Sequence, residues 1–290
     1  DIVTQKESSP IDYSHASEED IKFYQMLGWL VGDGYFTEEN LGLVFGPQDK
    51  EAAETLLPIF NEFIVSNSEI KRNVKISTQQ KTGVLQIGSK SKGAIEKLKS
   101  LGFQPAYATT KRIPKFVFSV PKVLQIAFLG GLFSADGGTL YHVNRNKTKT
   151  YYVHLASSSY ELLKDVQLLL SDLGIRSYIG WTVFKTVKRN PQGHLNIFGY
   201  HAQRFLKIIG FPLAKYKEEK LKVLIEKEYE GNIYPNLRSR VISIEKVGTS
   251  EVYDIYEPVT HSLIAEGLIV HNCNLSSINL LKFLKTQTNA

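Results

Sequence analysis

Cysteine is nearly absent: Cys273 is the only one in 290 residues. That excludes an internal disulfide framework and a multi-cysteine zinc site, and it fits a reducing, cytoplasmic setting. Long apolar runs are missing too. The longest, Ile126 to Phe133, holds eight residues, two of them glycine, whereas about 18 are needed to span a bilayer. No membrane partner is therefore expected. The sequence does not open on a charged-then-apolar signal segment; it begins at Asp1 rather than Met, as expected of a piece of something longer. What is present can build a core. Hydrophobic residues make up 42% and aromatics 11%, too apolar for a disordered chain, and the length allows about two domains. A net charge of +6 and a pI near 9.1 point toward a polyanionic partner, though charge alone leaves that class broad.

An internal repeat organises the chain. Ile21–Asp33 reads as an apolar helix with Ser17 as N-cap and acids in its first turn, and Lys122–Asp136 reads the same way. Each run ends Asp-Gly. Strand-like segments follow, Leu41–Phe45 and Tyr151–Ala156, then helices with 3–4 apolar spacing, Ala52–Ile64 and Leu162–Leu173. Hairpins follow in turn: Val74–Ser77 with Val84–Ile87, and Arg176–Phe184 with His194–Phe198. Short helices, Ala94–Leu101 and Ala202–Ile209, close each copy at a Gly-Phe pair. The order αββαββα thus occurs twice at nearly equal length, which predicts an α+β fold of two antiparallel-sheet units. Lys215–Glu230 reads as a charged helix, and short β-like runs come after it: Val241–Val247, Val252–Tyr256, Ser262–Ala265 and Gly267–Val270.

The two motif helices carry glycine where alanine would be worth about 1 kcal/mol more. Gly28 and Gly32 sit four apart, and Gly130 and Gly131 lie near Ala135. Small residues on one face let a second backbone approach closely. Two such helices crossing would bring Asp33 and Asp136 side by side. Carboxylates that close repel unless divalent cations lie between them, and hard oxygen ligands suit Mg²⁺.

Met26–Gly34 (MLGWLVGDG) loosely resembles the nonapeptide of the LAGLIDADG homing endonucleases, and Leu129–Gly137 (LGGLFSADG) resembles it closely. The first copy departs at Trp29 and at Val31, which replaces the motif's first Asp. The resemblance covers about residues 18–225 and implies the monomeric, single-chain form of the family. Two pseudo-symmetric units, 18–117 and 118–232, would set saddle-like sheets astride double-stranded DNA. It further implies hydrolysis of both strands with Mg²⁺ or another divalent cation, Asp33 and Asp136 being catalytic metal ligands. A lysine near each scissile phosphate is also implied. Lys111 and Lys215 follow Asp33 and Asp136 at nearly equal distances and are taken as that pair, with Lys217 as the reserve for the second. DNA contacts are expected from alternating hairpin residues: Lys71, Arg72, Lys75, Gln79 and Lys81 in one half, and Arg145, Lys147, Lys149, Arg176, Lys185, Lys188 and Arg189 in the other.

The run from Val252 through His261 to His271-Asn272-Cys273 resembles the C-terminal splicing blocks of an intein. On that resemblance residues 233–272 form a β-rich, Hint-type splicing segment behind a 1–17 leader. Asn272 would cyclise and cut before Cys273, the acceptor thiol, with His261 and His271 moving protons and Asp254 coordinating the steps. Residues 273–290 resemble a ribonucleotide reductase segment, as a C-extein would. No N-terminal nucleophile or Thr-x-x-His block precedes the first motif. Splicing is therefore expected only in trans, with an N-terminal intein fragment as partner. Two other readings are a cleavage-inactive DNA- or RNA-binding protein (maturase or regulator) and a trans-splicing segment with a passenger nuclease.

Overall fold

The computed structural model describes residues 2–3, 16–69, 72–143, 149–182, 192–228, 238–239, 243, 245–246, 248–249, 262–265 and 268–271. Strand β1 (Ile2–Val3) comes first. Helix α1 (Glu18–Asp33) starts where Ser17 closes a capping box: its Oγ accepts from the Asp20 amide at 3.0 Å and its own amide donates to Asp20 Oδ2 at 3.1 Å. Glu18, Glu19 and Asp20 place negative charge at the positive end of the helix. The first half continues through β2 (Gly34–Phe36), β3 (Leu41–Phe45), α2 (Lys50–Ser66), β4 (Ser77–Thr78), β5 (Leu85–Ser89) and α3 (Lys92–Ser100). The second half repeats the plan with α4 (Lys122–Asp136), β6 (Gly137–Val143), β7 (Lys149–Ser157), α5 (Tyr160–Asp172), β8 (Tyr178–Thr182), β9 (Gln192–Phe198) and α6 (Gly199–Ile208), and α7 (Lys215–Glu228) follows.

Both sheets are four-stranded and antiparallel, ordered β2-β3-β5-β4 and β6-β7-β9-β8. Read by position, the two orders are identical, so the repeat seen in the sequence is a repeat of topology. In each sheet the period-2 pleat splits the residues between faces. Leu41, Leu43, Phe45, Leu85 and Ile87 are buried under the helices of the first half, as are Val153, Leu155, Leu195 and Ile197 in the second. The opposite faces carry Val44, Gln86 and Gly88 in one sheet and Tyr152, His154, Asn196 and Phe198 in the other. Trp29, the departure in the first motif, is a core residue. It stacks on Phe45 at 4.8 Å, and its indole N–H donates to the Val44 carbonyl at 2.9 Å.

Two expectations about elements change. The first hairpin is shorter than Val74–Ser77 implies, because only Ser77 and Thr78 pair with β5. Of Val241–Val247, the described residues Ser243, Glu245 and Lys246 are not in a strand, and Val252–Tyr256 lies outside the described residues.

The chain divides into two compact units, Glu7–Tyr234 and a smaller one made of Asp1–Lys6 with Pro235–Ala290. In the smaller unit β1 pairs antiparallel with β10 (Arg238–Ser239), and β11 (Ser262–Ala265) pairs with β12 (Leu268–His271). No helix of the described residues is long and apolar enough to cross a membrane.

Candidate active site at the helix crossing

Helices α1 and α4 pack on each other more extensively than any other pair of described elements. Glycine makes this possible at two matched positions. A Cβ on Gly28 would fall on the Phe128 carbonyl oxygen, and one on Gly131 would fall on the Gln25 carbonyl oxygen. One turn further on, a Cβ on Gly32 would come within 2.8 Å of the Ala135 Cβ. The crossing is backbone against backbone. Gly130 faces elsewhere, toward Pro212.

This contact carries the two helix ends to one place. Asp33 and Asp136 come within hydrogen-bonding reach of each other, and each alters the ionisation of the other. Asp33 is open to solvent and Asp136 is half-buried, yet protein packed around both carboxyls displaces water from them. Loss of water there is the main cause that raises both carboxyls. Asp136, with the Asp33 charge next to it, is pushed up to about 7. Asp33 is raised less because its hydrogen bond from Asp136 and the Lys217 and Lys111 charges oppose the desolvation.

The two lysines dock on different helices of the crossing. Lys111 Nζ donates to the Gly32 carbonyl at 2.5 Å, one residue before Asp33. Lys217 Nζ donates to the Ser134 and Ala135 carbonyls at 2.6 and 2.7 Å, immediately before Asp136. Lys215, the residue that sequence counting favoured, is not in this cluster. It is exposed and ion-paired with Glu51, and Lys217 takes the equivalent place. Burial lowers the Lys217 ammonium, while Asp49, Asp33 and Asp136 counteract that shift.

Sequence reasoning missed the residues that hold these lysines. Asp49, the N-cap residue of α2, is buried and accepts from the Tyr216 hydroxyl at 3.0 Å, the Gly46 amide at 3.2 Å and Gln48 Nε2 at 3.2 Å. Burial of the ring, reinforced by the Asp49 charge, pushes the Tyr216 hydroxyl up to about 12. Ser159, the N-cap residue of α5, donates to the Lys111 carbonyl at 2.7 Å. Next to it the Arg112 guanidinium makes a two-bond pair with Asp165, at 2.6 and 2.7 Å. Their shared signal in the sequence is a capping residue at the start of the second helix of each half.

Beside Asp136 a cavity of about 180 Å³ is lined by Ala108, Lys111, Ala156, Ser157, Ser158 and Gln192. Among the described residues no group of three or more His, Cys, Asp or Glu side chains could hold a metal. The donor set is two neighbouring carboxylates, both raised mainly by loss of water. Such a set fits a hard cation that keeps waters and takes substrate oxygens for its remaining positions.

The expected DNA contacts fare unevenly. Arg72 and Lys75 are exposed but precede β4, and Gln79 and Lys81 lie in the turn after it, so none stands on a pleated face as the alternation implied. Arg176 precedes β8 and stacks over the Tyr178 ring at 5.0 Å. Lys149 begins β7 and His271 ends β12. Lys71, Arg145, Lys147, Lys185, Lys188 and Arg189 lie outside the described residues, as do Asp254, His261, Asn272 and Cys273.

Among curated proteins, the chain is 27% identical to the ribonucleoside-diphosphate reductase NrdEB subunit alpha of Bacillus subtilis, over 90% of this chain and 26% of that protein. It is 30% identical to a DNA polymerase of Thermococcus hydrothermalis, over 87% of this chain and 15% of that one. It is 25% identical to the tRNA-splicing ligase RtcB of Pyrococcus abyssi, over 88% and 32%. The chain thus spans about a third or less of these relatives' length. Among solved structures it is similar to mesophilic variants of the homing endonuclease I-DmoI, with TM-score 0.46 and 16% identity over 66% of this chain and 96% of that one. It is also similar to the LAGLIDADG meganuclease I-AabMI bound to uncleaved DNA, with TM-score 0.41 and 12% identity over 72% and 99%. Residues 124–210, which include all but the first two residues of α4, match the family model described as a LAGLIDADG-like domain.

Proposed function

We propose that the large unit is a divalent-metal-dependent, site-specific endonuclease that cuts both strands of DNA. The observation that carries this reading is the pairing of Asp33 and Asp136 at a backbone-to-backbone helix crossing, with Lys111 docked at the end of one helix and Lys217 at the end of the other. Asp33 and Asp136 would hold the cation. When bound, Mg²⁺ or another divalent cation makes water nucleophilic and stabilises the departing 3′ oxygen. Lys111 and Lys217 keep two ammonium groups where phosphate charge would gather. The exposed sheet faces and the basic hairpin ends would track the duplex, phosphates fixing position and base edges setting sequence.

The small unit fits an intein reading. Long stretches of three proteins with different names match nearly the whole of this chain yet make up only 15–32% of each of them, as expected of one element lodged in several hosts. The chain also leaves the small unit after Lys6 and re-enters it at Pro235, so the nuclease would be an insertion in the splicing domain. Asn272 cyclisation and Cys273 acceptance remain part of this proposal, with the N-terminal half supplied in trans.

The test is cleavage of a randomised duplex library in Mg²⁺, followed by sequencing of the cut ends. Wild type should recover one site. Asp33→Asn and Asp136→Asn should bind that site and lose cutting by at least about 100-fold. Lys217→Met should impair cutting, and Lys215→Met should not. Binding without any nick by wild type would favour a cleavage-inactive DNA-binding protein instead.

A further inference from the structure

Each lysine of the site is gripped from the opposite half of the large unit, and the two grips are chemically different. Lys111 belongs to the segment that follows the first half. Its ammonium ends on α1 at Gly32, but its carbonyl is held by Ser159 of the second half. The next residue, Arg112, is clamped by Asp165 and also meets Glu161 at 3.2 Å, while the Ile113 amide donates to Asp165 at 3.1 Å. Lys217 belongs to α7, which follows the second half. Its ammonium ends on α4, but its neighbours Tyr216 and Lys215 are held by Asp49 and Glu51 of the first half. The holding residues correspond by position. Asp49 and Ser159 are the N-cap residues of α2 and α5, and Glu51 and Glu161 lie two residues beyond them.

We infer that the starts of α2 and α5 are positioning elements, each fixing the lysine that serves one DNA strand, so that weakening one brace slows the cutting of one strand only. This rests on the endonuclease reading above. The braces set where the ammonium stands without touching the reacting atoms. The Arg112–Asp165 pair is two-bonded and anchored on a buried carboxylate, so it fixes direction as well as distance. The Tyr216–Asp49 bond is a single hydrogen bond to a buried carboxylate. The Lys215–Glu51 pair is exposed on both partners and contributes little to position. Small displacements matter here, since an error of about 1 Å in a catalytic group can cost on the order of 100-fold in rate.

The experiment uses the full chain and a duplex of the recovered site with each strand end-labelled separately, in Mg²⁺. Tyr216→Phe removes only the hydroxyl that reaches Asp49. It should slow one strand by about tenfold or more and leave the other near wild type, so nicked duplex accumulates. Arg112→Lys keeps the charge and loses the two-bonded geometry; it should slow the other strand. Ser159→Ala serves as the second variant on that side if Arg112→Lys does not fold. Glu54→Gln, whose carboxylate pairs only with the exposed Lys50 of the same helix among the described ion pairs, should change neither strand. Affinity for the site, measured in Ca²⁺, should stay within about twofold in all of them, as expected where a group acts in the chemical step rather than in binding. Equal slowing of both strands, or no slowing by either brace variant, overturns the inference while leaving the nuclease reading intact. Failure of wild type to nick any duplex overturns both.

Discussion

At the scale of single residues, the acidic pair behaves unlike ordinary surface carboxylates. Asp136 is pushed from 3.8 to about 7, and Asp33 moves the same way. Between these limits the folded chain binds a proton that the unfolded chain has released, so stability falls as pH rises through the window. Below about pH 4 both states are protonated and this cost vanishes; above about 7 it is fully present. Metal-free wild type should therefore melt lower at pH 8 than at pH 5.5, and Asp136→Asn should flatten that difference. On the proposed function a divalent cation would bind only the ionised pair, so millimolar Mg²⁺ should raise the wild-type melting temperature at pH 8 and leave Asp136→Asn nearly unchanged. Superimposable melting profiles of wild type and Asp136→Asn would refute this account.

The residue scale also shows where the sequence was a poor guide. Asp33 and Asp136 were readable because each ends a glycine-bearing apolar run at Asp-Gly. The second lysine was legible only as the reserve, Lys217, behind Lys215. Lys111 reaches the site from coil, whereas Lys217 reaches it from the first turn of α7. An extended residue advances about 3.3 Å and a helical one about 1.5 Å, so equal counts along the sequence do not give equal reach. Asp49, Ser159 and Asp165 were invisible for another reason: their partners are distant in sequence, and nothing local marks a capping residue as a brace.

At the scale of elements, the helices were legible to within a few residues because their apolar spacing is strong, and α4 was placed at both ends. Strand β4 was overread because alternation in Val74–Ser77 says nothing about how many partners β5 offers. The element that fixes the site is the α1–α4 crossing, and its tolerance differs among glycines. Gly28→Ala and Gly131→Ala must each push a backbone away and should cost at least about 3 kcal/mol, roughly 5–10 °C in melting temperature for a unit of this size. Gly130→Ala crowds the Pro212 ring at 2.9 Å, which can shift, and meets the Ile209 carbonyl oxygen only at an ordinary 3.7 Å, so it should cost about 1 kcal/mol or less. Thermal melts of the three variants rank the contacts; equal effects would mean that the crossing does not rest on Gly28 and Gly131.

At the scale of the whole molecule, two units share one chain, and the larger carries two topologically identical halves. The halves differ in what they show to solvent. The outer face of the second sheet carries Tyr178 and Phe198, with ring centres 6.0 Å apart, both exposed, whereas the first has Val44, Gln86 and Gly88. The net charge of +6 then has a measurable consequence for a duplex-binding protein. The logarithm of affinity should fall linearly with the logarithm of salt, losing at least about tenfold between 50 and 200 mM. Affinity measured without cleavage in Ca²⁺ checks this, and a flat salt profile would argue against a duplex lying along the sheets.

The glycine crossing has one more consequence. At Gly28 and Gly131 the joint between the halves is made of main-chain atoms, with Cα–H groups directed at the carbonyl oxygens of Phe128 and Gln25. A joint without side chains leaves the surrounding positions free to differ between copies. Trp29 stands four residues before one acid and Leu132 four before the other, both fully buried. The two copies can drift apart in sequence and in the surface each offers, while the hinge pin that aligns their acids stays the same.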